Sequence, residues 1–314
     1  MFKSVTVTNY RGDSLELPLA WPNDAGLLIS NIDGITPGNV NINSQDYALL
    51  DGGVYNSSRM QTRNIVIEFY YGRGNMVEDY DNHDVETSRH IAYRYFPIKT
   101  QVRLDFLTEE RYLSIWGYVE SNETEIFSDQ EKGQVSIVCP DPYFYEHDPV
   151  SYLLGSFTKE FEFPFSNESL TKPLICFGDY GPKSMYRVDY NGDIEVGAVI
   201  RIHLLKELTV DELTIYDVSH NTKLVLNFDD IISKTGLDNI QQYGDFVFSS
   251  VRGEKDIWYE RFGKKVSIIG AFDVQNFPWM YLTPGENIFG FDTDQEYLDE
   301  FSITIEHRGA YGGV

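Results

Sequence analysis

Basic residues are scarce in this sequence. Twenty-five Lys and Arg face 49 Asp and Glu, a formal net charge of −24. Binding to the outside of nucleic acid needs clustered Lys and Arg to neutralise phosphates, so that class of function is disfavoured. The deficit is not a tail effect. Up to Tyr145, 11 basic and 21 acidic residues leave −10; beyond it, 14 and 28 leave −14. Cysteine is rarer still. Cys139 and Cys176 are the only two, too few for a disulfide framework, and both are expected as buried, reduced thiols.

Long apolar runs are missing too. No stretch approaches the ~18 consecutive apolar residues of a membrane helix, so no membrane segment is expected. The opening MFKSVTVTNYRGDSLELP alternates where a signal peptide would carry an apolar core of about 7–15 residues. Without a secretory signal, the N-x-S/T triplets at Asn56, Asn122 and Asn167 read as chance matches. Catalytic signatures are equally absent: there is no Ser nucleophile elbow, HExxH, CxxC or Walker pattern. The near misses resolve to structure. Gly72-Arg73-Gly74-Asn75 lacks the further spaced Gly or Gly-Lys of a phosphate loop. His83 and His90, with Asp84 and Glu86, do not place two histidines at i, i+4. Asp292-Thr293-Asp294-Gln295-Glu296 resembles the start of a calcium loop but has Tyr297 where Gly belongs. Asp229 with Asp230, or Glu207 with Glu212, would suit glycoside hydrolysis only at a separation that sequence does not set. Arg11-Gly12-Asp13 reads as a turn. No catalytic residue, metal or cofactor is expected.

What is present points to β structure. Hydrophobic residues make up 42% of the chain and aromatics 15%, with 22 Tyr and 20 Phe, types that fit a pleated surface. The length leaves room for about two domains. In the first half, strands are expected at Phe2–Thr8, Gly26–Gly34, Val40–Tyr47, Gly52–Tyr55 and Arg63–Tyr70. The last is the clearest, with Ile65, Ile67 and Phe69 on one face. One helix is expected after Asp84 as N-cap, carrying Val85, Ala92 and Phe96 and ending at Pro97. Val102–Phe106 and Tyr112–Val119 then form a hairpin. The order is that of an α+β domain with a β-rich core.

The second half reads as ten or eleven short strands, among them Lys159–Phe163, Leu174–Phe177, Glu212–Asp217, Lys223–Phe228 and Asp245–Ser249, with almost no helical pattern: an antiparallel sandwich or jelly roll. Asn191-Gly192 supplies a hairpin signal between Met185–Tyr190 and Ile194–Leu205. Trp258, Tyr259, Trp279 and Tyr281 are the residues that could form a sugar-stacking or partner-contact platform; in a sandwich the same residues also serve as core.

Between the halves lies VSIVCPDPYFYEHDP, Val135–Pro149. Val135, Ile137 and Cys139 alternate as a half-buried strand. Pro140, Pro142 and Pro149 then remove backbone donors and hold the residues before them, Asp141 and Asp148 among them, extended. Tyr143, Phe144 and Tyr145 form an aromatic clasp. The stretch reads as a stiff interdomain hinge whose rings are expected to be buried at the domain junction. The domains it separates are 1–145 and 146–314.

CPDPYFY at Cys139–Tyr145, closing a strand near mid-chain, resembles the distal tail protein family of long-tailed bacteriophages, the siphovirus tail component family. Five further segments are similar to that family in the same order: LLISNIDG at Leu27–Gly34, LLDGGVYNSSRMQTRNIVIEF at Leu49–Phe69, RYLSIWGYVES at Arg111–Ser121, FPWMYLTPGENIFGF at Phe277–Phe291 and HRGAYGGV at His307–Val314. His307-Arg308-Gly309 departs from the Arg-Pro-like pair expected there. The resemblance implies a structural hub and not an enzyme. Its N-terminal domain, a β-sandwich or split barrel with one helix and a hairpin, would form a hexameric ring, or stacked rings, around a DNA channel. That ring would join the major tail tube protein and the tail-tip protein. Its C-terminal domain would be an outward-facing galectin-like sandwich holding receptor-binding or baseplate proteins. The implied location is the virion tail tip, after synthesis in the host cytoplasm. DNA would pass without specific binding, helped by an acidic lumen. The alternative from the residues is a carbohydrate-binding, lectin-like protein or a receptor-binding tail subunit.

Overall fold

The computed structural model describes residues 2–19, 26–47, 51–71, 85–127, 131–154, 156–158, 179–181, 185–206, 211–237, 240, 242–293 and 301–314. By compactness the chain divides into two units. One comprises Met1–Asp148 together with Ala310–Val314; the other is Pro149–Gly309. The sequence reading places 310–314 with the second half, whereas in the structure these residues belong to the first unit.

The first unit contains β1 (Phe2–Thr8), β2 (Ser14–Pro18), β3 (Leu27–Asp33), β4 (Val40–Asp46), β5 (Gly53–Met60), β6 (Arg63–Tyr71), α1 (Val85–Tyr95), β7 (Gln101–Thr108), β8 (Tyr112–Glu125), β9 (Lys132–Cys139) and β10 (Phe144–Glu146). Its main sheet runs β2-β1-β7-β8-β9-β6-β3, every pair antiparallel. Period-2 patterning explains it. In β6, Ile65, Ile67 and Phe69 are buried and alternate with less buried neighbours. Across the β6–β9 ladder, Ile65 faces Ile137 and Ile67 faces Val135. Each such side chain contributes about 1.5–3 kcal/mol by leaving water. The β7–β8 hairpin forms as the sequence predicts. Helix α1 buries Ala92, and Phe96, just past its end, stacks on Phe69 at 6.5 Å. Pro97 cannot continue the helix. The expected N-cap, Asp84, and the Gly72–Asn75 and His83 readings lie outside the described residues.

The second unit contains β11 (Val150–Leu154), β12 (Ser156–Thr158), β13 (Asp179–Gly181), β14 (Met185–Tyr190), β15 (Val196–Gly197), β16 (Val199–Leu204), β17 (Glu212–Asp217), β18 (Thr222–Asn227), α2 (Phe228–Thr235), β19 (Asp245–Ser249), β20 (Asp256–Arg261), β21 (Lys264–Ser267), β22 (Tyr281–Leu282), β23 (Gly285–Asp292) and β24 (Phe301–His307). A six-stranded antiparallel sheet, β11-β24-β16-β19-β20-β21, faces a four-stranded one, β14-β23-β17-β18. Their inner faces touch where Tyr190 meets His307 at 5.2 Å and Phe291 meets Phe301 at 6.3 Å. This is the sandwich expected from the short alternating strands.

Two local readings are corrected. Asn191-Gly192 does not close a hairpin: β14 pairs with β23, nearly a hundred positions on, where Asn287 and Phe289 form a buried row opposite Val188 and Tyr186. The strand expected at Lys223–Phe228 ends at Asn227, and residues 228–235 are helix where almost no helical pattern is expected. The Asn227 side chain accepts a bond from the Asp230 amide, Asp229 and Asp230 sit in the first turn, and Gly236 ends the helix at φ 67°. These are N-cap, helix-dipole and C-cap signals, so Asp229 and Asp230 serve the helix. Phe228 then packs on Phe246 at 5.3 Å. The expected strands at Lys159–Phe163 and Leu174–Phe177, with Cys176, Glu207 and Asp294–Tyr297, lie outside the described residues. Among the described residues, no helix is long and apolar enough to cross a membrane.

Candidate assembly site

Arg63 opens β6, directly across from Cys139 at the end of β9. Its side chain is buried, 5% exposed, and its head group is met almost wholly by main-chain carbonyls. Nε donates to the Pro142 carbonyl at 2.7 Å. Nη1 donates to the carbonyls of Gly34 at 2.5 Å and Thr36 at 2.6 Å. Nη2 donates to the Gly312 carbonyl at 2.6 Å. The Phe144 ring lies 4.7 Å below the guanidinium. A planar fork with five donors suits this arrangement in a way a lysine ammonium does not. Burial pulls the guanidinium pKa down from its ordinary value; carbonyl dipoles and the ring face hold the charge in place of a carboxylate.

Three chain segments therefore meet at one side chain. The first is the stretch identified as a hinge. Cys139, Pro142 and Phe144 are buried, Asp141, Tyr143 and Tyr145 are half-buried, and Pro140 and Pro149 are exposed. Within the first unit, Phe144 packs edge-on against Phe106 at 5.6 Å, and Tyr145 lies 6.3 Å from Trp116. The Tyr145 hydroxyl donates to Asp141 at 2.8 Å, and the Tyr143 amide turns back to the same carboxylate. Burial pushes the Cys139 thiol up to about 12, against the opposing pull of Arg63.

The second segment is the C-terminus. β25 (Ala310–Tyr311) pairs with β10, which also pairs with β8. The Tyr311 hydroxyl donates to Glu146 at 2.8 Å, Arg111 covers its ring at 4.3 Å, and the Val314 amide donates to the Ile35 carbonyl at 3.1 Å.

The third segment is the root of an arm. Among the described strands, β4 and β5 pair only with each other, and nearly every residue in them is exposed. Residues 34–39 link this ribbon to β3. Gly34 sits at φ 85° with the Asn64 carbonyl where a Cβ would go, so both conformation and space require glycine. By gripping Gly34 and Thr36, Arg63 ties the arm's root to the sheet.

The aromatic residues singled out as a contact platform are not all on one surface. Tyr259 points inward, against Phe246 at 5.1 Å. Trp258, the preceding residue on β20, points to the other face, where Lys265 Nζ sits 3.6 Å from its ring centroid. Trp279 and Tyr281 do come together, with Lys255 Nζ at 5.2 and 5.3 Å from their rings.

Asp105, Ser114 and His147 have the residue types of a hydrolytic triad. The Ser114 hydroxyl, however, donates to Asp105 at 2.6 Å and is fully buried, with His147 Nδ1 3.0 Å away. A nucleophile must point its proton at the base and stand open to substrate; this serine does neither, and Arg103 completes a structural ion pair with Asp105.

Sequence reasoning missed Arg63 and Gly312. Neither carries a motif, because the acceptors at Arg63 are carbonyls that every residue possesses.

No protein-family model matches the chain, and no curated protein matches it. Solved structures do. The chain is similar to the Dit protein of phage SPP1, described as a hub of the adsorption apparatus in phages that infect Gram-positive bacteria, with TM-score 0.60 and 15% identity over 98% of this chain and 99% of that one. It is also similar to a chain of the phage P2 baseplate in its activated conformation with Ca, with TM-score 0.50 and 10% identity over 98% of each. The chain thus has, from end to end, the fold of phage hub and baseplate proteins.

Proposed function

We propose that this protein is the structural hub at the tip of a phage or prophage tail. Six copies form a ring that surrounds the DNA channel and joins the tail tube to the baseplate. The first unit builds the ring. The second, a galectin-like sandwich, holds receptor-binding or baseplate proteins. The observation that carries this reading is the whole-chain likeness to SPP1 Dit, 98% of one chain against 99% of the other, since a shared sandwich alone would match only half. Catalysis is not part of the role. The first unit's surplus of acid suits a lumen through which DNA slides without sticking, because like charge repels phosphate. The ammonium groups over Trp258, Trp279 and Tyr281 weigh against a lectin, because they occupy ring faces that a sugar would use.

Size-exclusion chromatography with light scattering, followed by negative-stain imaging, tests the reading. Rings at six times the subunit mass of 36.2 kDa are expected. A chain that stays monomeric both alone and when mixed with the tail tube protein overturns it.

A further inference from the structure

The β4–β5 arm has two unlike faces. Val40 and Ile42 alternate onto one, and the register sets Met60 and Ser58 opposite them. Past the bulge between Asn43 and Ser44, Tyr55 joins this face, its hydroxyl donating to Ser58 at 2.8 Å. The other face carries Asn41, Asn43, Gln45, Ser57 and Arg59, with Val54 as its one apolar residue. The apolar face is open: Ile42 is 68% exposed, Tyr55 61% and Val40 46%. A two-stranded ribbon is marginal in water by itself, and an exposed β surface of this kind is normally covered or blunted by charge. This one is not blunted. Among residues 40–60 the only charges are Asp46, Asp51 and Arg59, in a chain of net charge −24.

The charge distribution selects the occupant. A nucleic acid or an acidic partner would call for basic residues on the arm, and a basic partner for acidic ones; the arm offers neither. A chain as acidic as this one meets a copy of itself with least repulsion where charge is sparse, and the arm is such a place. The first unit also carries a separate apolar patch at Tyr93, Ile126 and Phe127, where the Tyr93 hydroxyl bonds Thr124 next to Glu125 and Ile126. Two unlike patches on one molecule are what a head-to-tail contact needs, and such contacts close into a ring when the rotation between copies closes. With seven paired positions, the arm reaches roughly 23 Å.

We propose that the β4–β5 arm docks through Val40, Ile42, Tyr55 and Met60 onto a second copy of this chain. The inference deepens the hub reading, on which it rests, by naming the surface that joins neighbouring subunits. Arg63 fixes the arm's departure angle and so the position of the next subunit.

The test is the full chain carrying I42D and Y55D, compared with the unchanged chain by light scattering over a range of concentrations. Both positions are exposed, so thermal unfolding and circular dichroism should match the parent. Loss of the oligomer at concentrations where the parent is assembled is the expected result. Rings of six that persist in the variant overturn the arm proposal and leave the hub reading standing. An oligomer of another order that the variant dissolves supports the arm and overturns the hexameric ring. A parent chain that is monomeric at every concentration overturns the second copy as occupant. So does an arm that is buried only when another protein is added.

Discussion

Arg63 donates from Nη2 to the main-chain carbonyl of Gly312 at 2.6 Å, across 249 positions of sequence. The bond joins the start of the central strand β6 to the third residue from the chain's end. It makes the last five residues part of a unit whose other members all precede Pro149.

Replacing Arg63 with Met should be severe. The carbonyls of Gly34, Thr36, Pro142 and Gly312 would each lose a charged donor in a site that water reaches poorly. A buried acceptor left unpaired costs about 1–3 kcal/mol, and relaxation would spare some of the four, so about 3–5 kcal/mol is expected. Arg63→Lys should recover only part, because an ammonium lacks the fork that spans all four. Denaturant titration of both variants, with hydrogen exchange at β6 and β9, measures this. A loss below about 1 kcal/mol for Arg63→Met would mean that the clamp is ornamental.

Ending the chain at Gly309 removes the β10–β25 pairing, the Tyr311 bond to Glu146 and the Val314 bond to Ile35. Amide exchange should rise at β10 and around the arm's root, while β16 and β24 of the second unit keep their protection. Uniform exchange across the first unit, unchanged from the full chain, contradicts the stapling role.

Cys139 gives a pH dependence with a defined sign. Its folded pKa of about 12 lies above the ordinary value of 9.0, so the native state holds the proton longer than the unfolded state. Stability is then fully present below pH 9 and falls as pH rises toward 12, at about 1.4 kcal/mol per pH unit. Tyr71 and Tyr112, also raised by burial, add a loss of the same sign above their ordinary value of 10.0. Cys139→Ala should flatten the curve between pH 9 and 10 and leave the tyrosine part. The native thiol should also resist alkylation at pH 8 until the chain is unfolded.

In the second unit, Gly197 lies against the Ser250 main chain, with its Cβ position already occupied by the Ser250 carbonyl. The Ser250 hydroxyl bonds the Ala198 amide at 2.9 Å and the Met280 carbonyl at 2.5 Å. Gly197→Ala must push these segments apart and should cost about 1–3 kcal/mol, read as a lower midpoint in thermal unfolding. Gly270→Ala, where a Cβ meets nothing within 4 Å, is the control and should shift little.

Much of this architecture is legible in the sequence because alternation is a local signal. Ile65, Ile67 and Phe69 announce β6; the strands at Glu212–Asp217 and Asp245–Ser249 read off with their bounds intact. Helix α2 was also legible, through Asn227, the acidic first turn and Gly236, but its eight residues are too short for periodicity to outweigh the strands around it. The hairpin reading at Asn191-Gly192 failed for a different reason. Turn chemistry says that a chain reverses, not which strand it then meets.

By itself, the sequence determined the two β-rich halves, the acidity, the half-buried strand into Cys139 and the order of segments that resembles the distal tail proteins. Only the tertiary structure decided that Arg63 gathers the arm's root, the proline-rich stretch and the C-terminus, and that Trp258 and Tyr259 point to opposite faces of β20. The physical reason is the nature of the acceptors. A carboxylate partner leaves a letter in the sequence, whereas a carbonyl belongs to every residue, and only folding chooses which ones converge.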